Sequence, residues 1–156
     1  MLATLDSNLC FTATRRKAEH VIFYARYEAS QFGTAYIEAE HLLLGLLYVD
    51  EALANRFIYP PASVESVRKQ IEERAMMREK VSASPVDLPL SNESKRVLAY
   101  AAEEAQMLSD DKHIGTAHLL LGMLRQPGNF AADFLNERGL ILETVRTQIG
   151  TQPDKT

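Results

Sequence analysis

The chain has one cysteine, no tryptophan and seven glycines, none of them followed by lysine. A lone Cys10 cannot close an internal disulfide, which suits a reducing compartment. Without a Gly-Lys-Ser/Thr run there is no phosphate-cradling loop for a nucleotide. Lys and Arg number 17 against 21 Asp and Glu, for a formal net charge of −4. The basic stripe that nucleic-acid binding requires is therefore missing. No stretch approaches the roughly 20 apolar residues of a membrane span. Met1 to Cys10 holds no Lys or Arg and no apolar run of signal-peptide length, so the expected location is cytoplasmic. There is no alternating β-branched segment bounded by hairpin turns. No His-Glu-x-x-His or Cys-rich spacing points to a metal. No Gly-x-Ser-x-Gly elbow points to a nucleophile. The expectation is a protein that is not an enzyme and carries no metal or cofactor.

What the sequence does have is repetition. Ile37-Glu38-Ala39-Glu40-His41-Leu42-Leu43-Leu44-Gly45-Leu46-Leu47 returns as Ile114-Gly115-Thr116-Ala117-His118-Leu119-Leu120-Leu121-Gly122-Met123-Leu124, 77 positions later. The helix ahead of it repeats too. Val21, Ile22, Ala25, Ala29 and Phe32 recur 76 positions on as Val97, Leu98, Ala101, Ala105 and Leu108. Spacing of i, i+1, i+4, i+8 and i+11 marks one helix face in each copy. A tandem duplication follows. The offset grows by one residue in the connecting loop, where a length change is tolerated.

The spacing predicts an all-α fold of two tandem four-helix repeats with pseudo-twofold symmetry, about eight helices in all. Residues 1–10 read as a flexible leader, 11–150 as a single domain and 151–156 as a tail. Within the domain, repeat one spans 11–75, a Ser- and Pro-rich linker 76–89, and repeat two 90–150. The first long helix is expected from about Thr14 to Phe32, stopped by Gly33. The Leu-rich helix then runs from Glu38 to Val49. Asp50, Ser63, Ser91 and Thr116 are the expected N-caps of later helices, and Gly139 is a C-cap signal. Leu43, Leu44, Leu120 and Leu121 are expected in the core. His20 and His113 are expected to face solvent.

The duplicated pattern resembles the Clp amino-terminal repeat of the ClpA and ClpC type AAA+ unfoldases. The elements are Phe11-Thr12, Val21-Ile22, Glu28-Ala29 and Glu40-His41, then Val97-Leu98, Glu104-Ala105 and Gly115-Thr116-Ala117-His118. They cover roughly residues 11–150. The resemblance implies a domain that captures substrate proteins or an adaptor for an ATP-driven protease, without the motor itself. The implied partners are a Clp ATPase, its adaptor and its substrates. An alternative is a free-standing accessory factor that regulates assembly of the Clp protease. A rival from another class is a small helical hydrolase or metal enzyme.

The resemblance also implies a pocket in each repeat for phosphorylated arginine. A Glu pairs with the guanidinium, while a Thr hydroxyl and helix N-terminal amides take the phosphate. Glu40 is present in repeat one, but Arg15 stands where the family has Thr, with Thr12 one turn earlier. In repeat two Ser91 can replace the Thr hydroxyl, yet Ala117 stands in place of Glu. Each repeat thus reads as half a pocket, and phosphoarginine binding is expected to be weak or lost. Glu40, Arg15, Thr12 and Ser91 are the candidate binding residues. His41 and His118 read as partly buried imidazoles that hydrogen-bond across the repeat rather than as ligands or bases. Met76-Met77 reads as core filling or chance exposure more readily than as a soft binding surface.

Overall fold

The computed structural model describes residues 2–58, 63–75, 88–108 and 113–151, with side chains described outside 2–16, 74–75 and 150–151. Eight helices follow in order: α1 (Leu2–Phe32), α2 (Ala39–Val49), α3 (Glu51–Phe57), α4 (Val64–Ala75), α5 (Asn92–Leu108), α6 (Thr116–Arg125), α7 (Phe130–Glu137) and α8 (Leu142–Thr151). Among the described residues there is no strand, only one isolated parallel bridge between Ile37 and Leu90.

The repeated apolar face builds the core twice. Val21, Ala25 and Ala29 of α1 are fully buried, as are their counterparts Val97, Ala101 and Ala105 of α5. Small side chains on this stripe let α2 lie close under α1, and α6 under α5. At each crossing the Leu-rich helix carries glycine. A Cβ on Gly45 would collide with the Val21 carbonyl, and one on Gly122 with the Val97 carbonyl. The same crossing recurs at the same register. Leu43, Leu44, Leu120 and Leu121 are all in the core. With apolar residues on every side, α2 and α6 pack against each other as well as under their own long helices.

Local signals set the helix ends. Gly33 and Gly139 take positive φ, at 72° and 83°, as a left-handed helix stop requires. The Asp50 carboxylate accepts the Leu53 N–H at 3.1 Å, and the Ser63 hydroxyl accepts the Ser66 N–H at 3.0 Å. Ser91 accepts the Ser94 N–H at 3.1 Å. Asn129 plays the same part for α7, accepting from Ala132 at 2.8 Å. Thr116 does not cap α6. Gly115 is the N-cap, and the Thr116 hydroxyl donates to the other Asp50 oxygen at 2.6 Å. Asp50 therefore caps one helix and ties repeat one to repeat two.

Two further expectations are corrected. α1 begins at Leu2, not near Thr14, so the stretch read as a leader has helical backbone. The reason is the lack of any Gly or Pro before Gly33; nothing in that stretch breaks a helix. The end of the expected linker is also structural. Leu88 is buried in the core, and the Pro89 carbonyl accepts the Ile37 N–H at 2.8 Å. Residues 76–87, including Met76 and Met77, lie outside the described residues, as do 152–156 of the tail.

Candidate protein-interaction site

Glu40 and the two repeated histidines lie at the N-terminal ends of α2 and α6. His41 is wholly buried, and its Nδ1 accepts the Glu38 N–H at 2.9 Å. The His118 Nδ1 accepts the Gly115 N–H at 2.8 Å. Each of these bonds closes locally, three residues back. An acceptor Nδ1 means a neutral ring protonated on Nε2, so both imidazoles serve the helix start. His20 and His113 are exposed.

Glu40 sits in the first turn of α2 and is 9% exposed, where the helix dipole favours a carboxylate. The start of α5 is attached to this same end. The Ser91 N–H donates to the Ile37 carbonyl at 3.0 Å, and the Ser94 hydroxyl donates to it at 2.6 Å. The backbone thus brings Ser91 of repeat two to the entry of the helix that carries Glu40 of repeat one. Sequence spacing had assigned these two to different repeats, hence to different half-pockets. Thr12 and Arg15 lie within α1, and their side chains are outside the described set. Ala117 is in the first turn of α6 and half-buried.

Matched carboxylate–guanidinium pairs brace the two repeats. Arg68 of α4 grips Glu28 of α1 through Nε and Nη2 at 3.1 and 2.7 Å. Arg146 of α8 grips Glu104 of α5 at 2.9 and 2.8 Å. Glu104 is fully buried and also accepts from Arg125 at 3.1 Å. Burial alone would raise its carboxyl, but the Arg146 bond and the charges of Arg146 and Arg125 hold it below the usual range.

Outside these braces the repeats diverge. Arg125 stacks over Tyr100 at 4.4 Å and pairs with Glu103 at 3.0 Å. At the matching positions of repeat one, Tyr48 packs on Tyr24 with ring centroids 4.3 Å apart, and Tyr27 replaces the Glu. Phe23 is 62% exposed, and Tyr27 and Tyr48 are also exposed. An ion-paired surface in one repeat is an aromatic surface in the other. This patch was missed in the sequence, although its signal was present: Phe23, Tyr24 and Tyr27 fall off the Val21–Ala25–Ala29 face. Among the described residues no three His, Cys, Asp or Glu side chains converge as a metal set. No helix there is long and apolar enough to cross a membrane.

A model of the Clp repeat (R) N-terminal domain matches residues 14–138. The chain belongs to this family. A ClpA homolog of Guillardia theta, an ATP-binding subunit of the ATP-dependent Clp protease, is 32% identical over 89% of this chain and 17% of its own length. The chloroplastic chaperone protein ClpC1 of Arabidopsis thaliana is 30% identical over 89% of this chain and 15% of its own. The chain thus spans less than a fifth of the curated relatives it matches. Among solved structures, the N-terminal domain of Arabidopsis thaliana ClpD superposes with a TM-score of 0.66 at 21% identity, covering 85% of this chain and 89% of that one. The Candida albicans Hsp104 N-terminal domain gives 0.62 at 19% identity, covering 85% of each chain. The eight helices, with no strand among the described residues, have the architecture of the Clp repeat domain.

Proposed function

We propose that this Clp repeat domain is a protein-binding module that recruits substrates or an adaptor to a Clp unfoldase and protease, with no ATPase or other enzymatic activity of its own. Family membership carries the reading: the chain matches an N-terminal domain, and its curated relatives are named as ATP-binding Clp subunits and chaperones. The exposed aromatic face of repeat one adds support, because Tyr and Phe supply large contact areas with little loss of side-chain freedom. The working compartment is the cytoplasm, which suits the unpaired Cys10. Recognition runs through protein–protein contacts, with phosphoarginine a minor ligand at most.

The test is competition. Excess purified chain, added to a reconstituted Clp ATPase and protease, is expected to slow turnover of a folded substrate by occupying the substrate or its adaptor. Unchanged turnover, together with no complex by crosslinking, would sink the proposal. A second measurement is calorimetry with ATP and magnesium, where no heat of binding is expected. Micromolar affinity would show that a nucleotide site exists after all.

A further inference from the structure

The brace that ties the long helix of each repeat to its last helix is filled differently in the two halves. In repeat two the Glu104 carboxylate gathers two guanidiniums, Arg146 at 2.9 and 2.8 Å and Arg125 at 3.1 Å. Arg125 reaches it while lying over the Tyr100 ring, 4.4 Å from the centroid. Glu28 is the counterpart of Glu104 in repeat one. It pairs with Arg68 and with no second cation among the described residues. The residue in the place of Arg125 is Tyr48, whose uncharged ring lies against Tyr24 instead.

Repeat one therefore keeps the acceptor for a second guanidinium and lacks the donor. The acceptor is also accessible. Between α1 and α4 lies a cavity of about 420 Å³ lined by Tyr27, Glu28, Gln31, Phe32, Arg68 and Glu72. The Glu28 side chain is 15% exposed, and Tyr27 and Glu72 are exposed. Two carboxylates thus face one guanidinium in this wall, and Glu65 is near enough for its charge to act on Arg68 as well. An aromatic ring beside surplus carboxylates suits a guanidinium on an apolar stem. The ring takes the stem and the flat face of the cation, while the carboxylates take its N–H donors. An acidic or phosphorylated side chain would be repelled.

We propose that this cavity docks an arginine side chain of a partner protein, which gives Glu28 from outside the second guanidinium that Arg125 gives Glu104 from within. The occupant is an arginine flanked by apolar residues, because the exposed rings of Phe23, Tyr27 and Tyr48 adjoin the acidic wall. Lysine fits less well, since a point charge lacks the planar fork that bonds a carboxylate through two donors. The net charge of −4 adds attraction for a basic segment. The inference rests on the protein-binding reading above and names the chemistry of the segment recognised.

The experiment uses the whole chain and two blocked peptides, Gly-Leu-Arg-Leu-Gly and the same sequence with citrulline in place of arginine. NMR titration with the arginine peptide is expected to shift the Tyr27 ring protons and the Arg68 Nε–H saturably. Citrulline keeps the shape and loses the charge. It is expected to bind about tenfold more weakly or worse, as loss of a charge-assisted pair implies. The double variant Tyr27→Glu, Tyr48→Arg rebuilds the arrangement of repeat two and fills the site in cis, so it is expected to abolish the shifts. Both positions are exposed, and circular dichroism checks that helix content is retained. If it is not, Glu72→Ala is measured instead, with binding expected to weaken about threefold, as loss of an exposed ion pair implies. Equal binding of the two peptides, undiminished binding by the variant, or no saturable shift overturns the proposal. So do shifts centred on the entry to α2. A chain that ignores the arginine peptide yet still slows the reconstituted protease overturns this inference alone. Failure of both removes the protein-binding reading with it.

Discussion

At Gly45 and Gly122 the helix backbones approach so closely that a methyl group would meet a carbonyl oxygen of the neighbouring helix. Alanine is the better helix former by about 1 kcal/mol, yet the collision is with main chain, which cannot turn aside like a side chain. Gly45→Ala is therefore expected to lose about 1–3 kcal/mol, the usual range for overpacking, read as a lower denaturant midpoint. A gain in stability would mean that α1 and α2 can separate freely. Glu104 gives a second test at this scale. Its folded carboxyl is held below its unfolded value by Arg146 and Arg125, so its contribution is present at neutral pH. That contribution is lost as pH falls below about 4 and the group protonates. Glu104→Gln should lower the melting temperature at pH 7, with a deficit that shrinks towards pH 3. A deficit independent of pH would show that packing, not charge, is at stake.

The helices differ in how firmly their ends are specified. α5 begins where Pro89 precedes and Ser91 caps, whereas α1 has neither signal and runs back to Leu2. One element was placed wrongly for this reason. The apolar face marks where a helix must be buried, but it says nothing of how far a helix extends beyond that face. Thr116 failed for a related reason: a good capping residue at the right spacing was drawn instead into a bond with Asp50, 66 residues away. The Leu-rich helices behave as the sequence predicted. Leu44 is 1% exposed, and Leu44→Ala is expected to cost about 2–5 kcal/mol, as large-to-small core changes do. Equilibrium urea unfolding would measure it. A variant of unchanged stability that had lost partner binding would move α2 from core to docking surface.

For the whole molecule, the arrangement of the two repeats matters more than either repeat alone. The Ser91 N–H is bonded to the Ile37 carbonyl, so Ser91 of repeat two stands at the entry of the helix that carries Glu40 of repeat one. A single weak phosphoarginine site is therefore expected, lost in both Glu40→Ala and Ser91→Ala. Removing a charge-assisted contact of about 1.5–3 kcal/mol would lower affinity tenfold or more. Calorimetric titration of phosphoarginine into the unaltered chain and the two variants would decide; two tight sites would refute it. The sequence by itself determined the duplication, the all-helical class, the family, and which faces of α1, α2, α5 and α6 are buried. These follow from local periodicity, which a chain carries in its own spacing. Only the tertiary structure decided that Ser91 and Glu40 share an end, that Asp50 joins the repeats, and that Glu104 gathers two guanidiniums where Glu28 gathers one. Each of those depends on groups 50 or more residues apart, or on two halves with nearly the same pattern and different surroundings. Periodicity is blind to both, because it records which side of a helix is buried and not what lies against it.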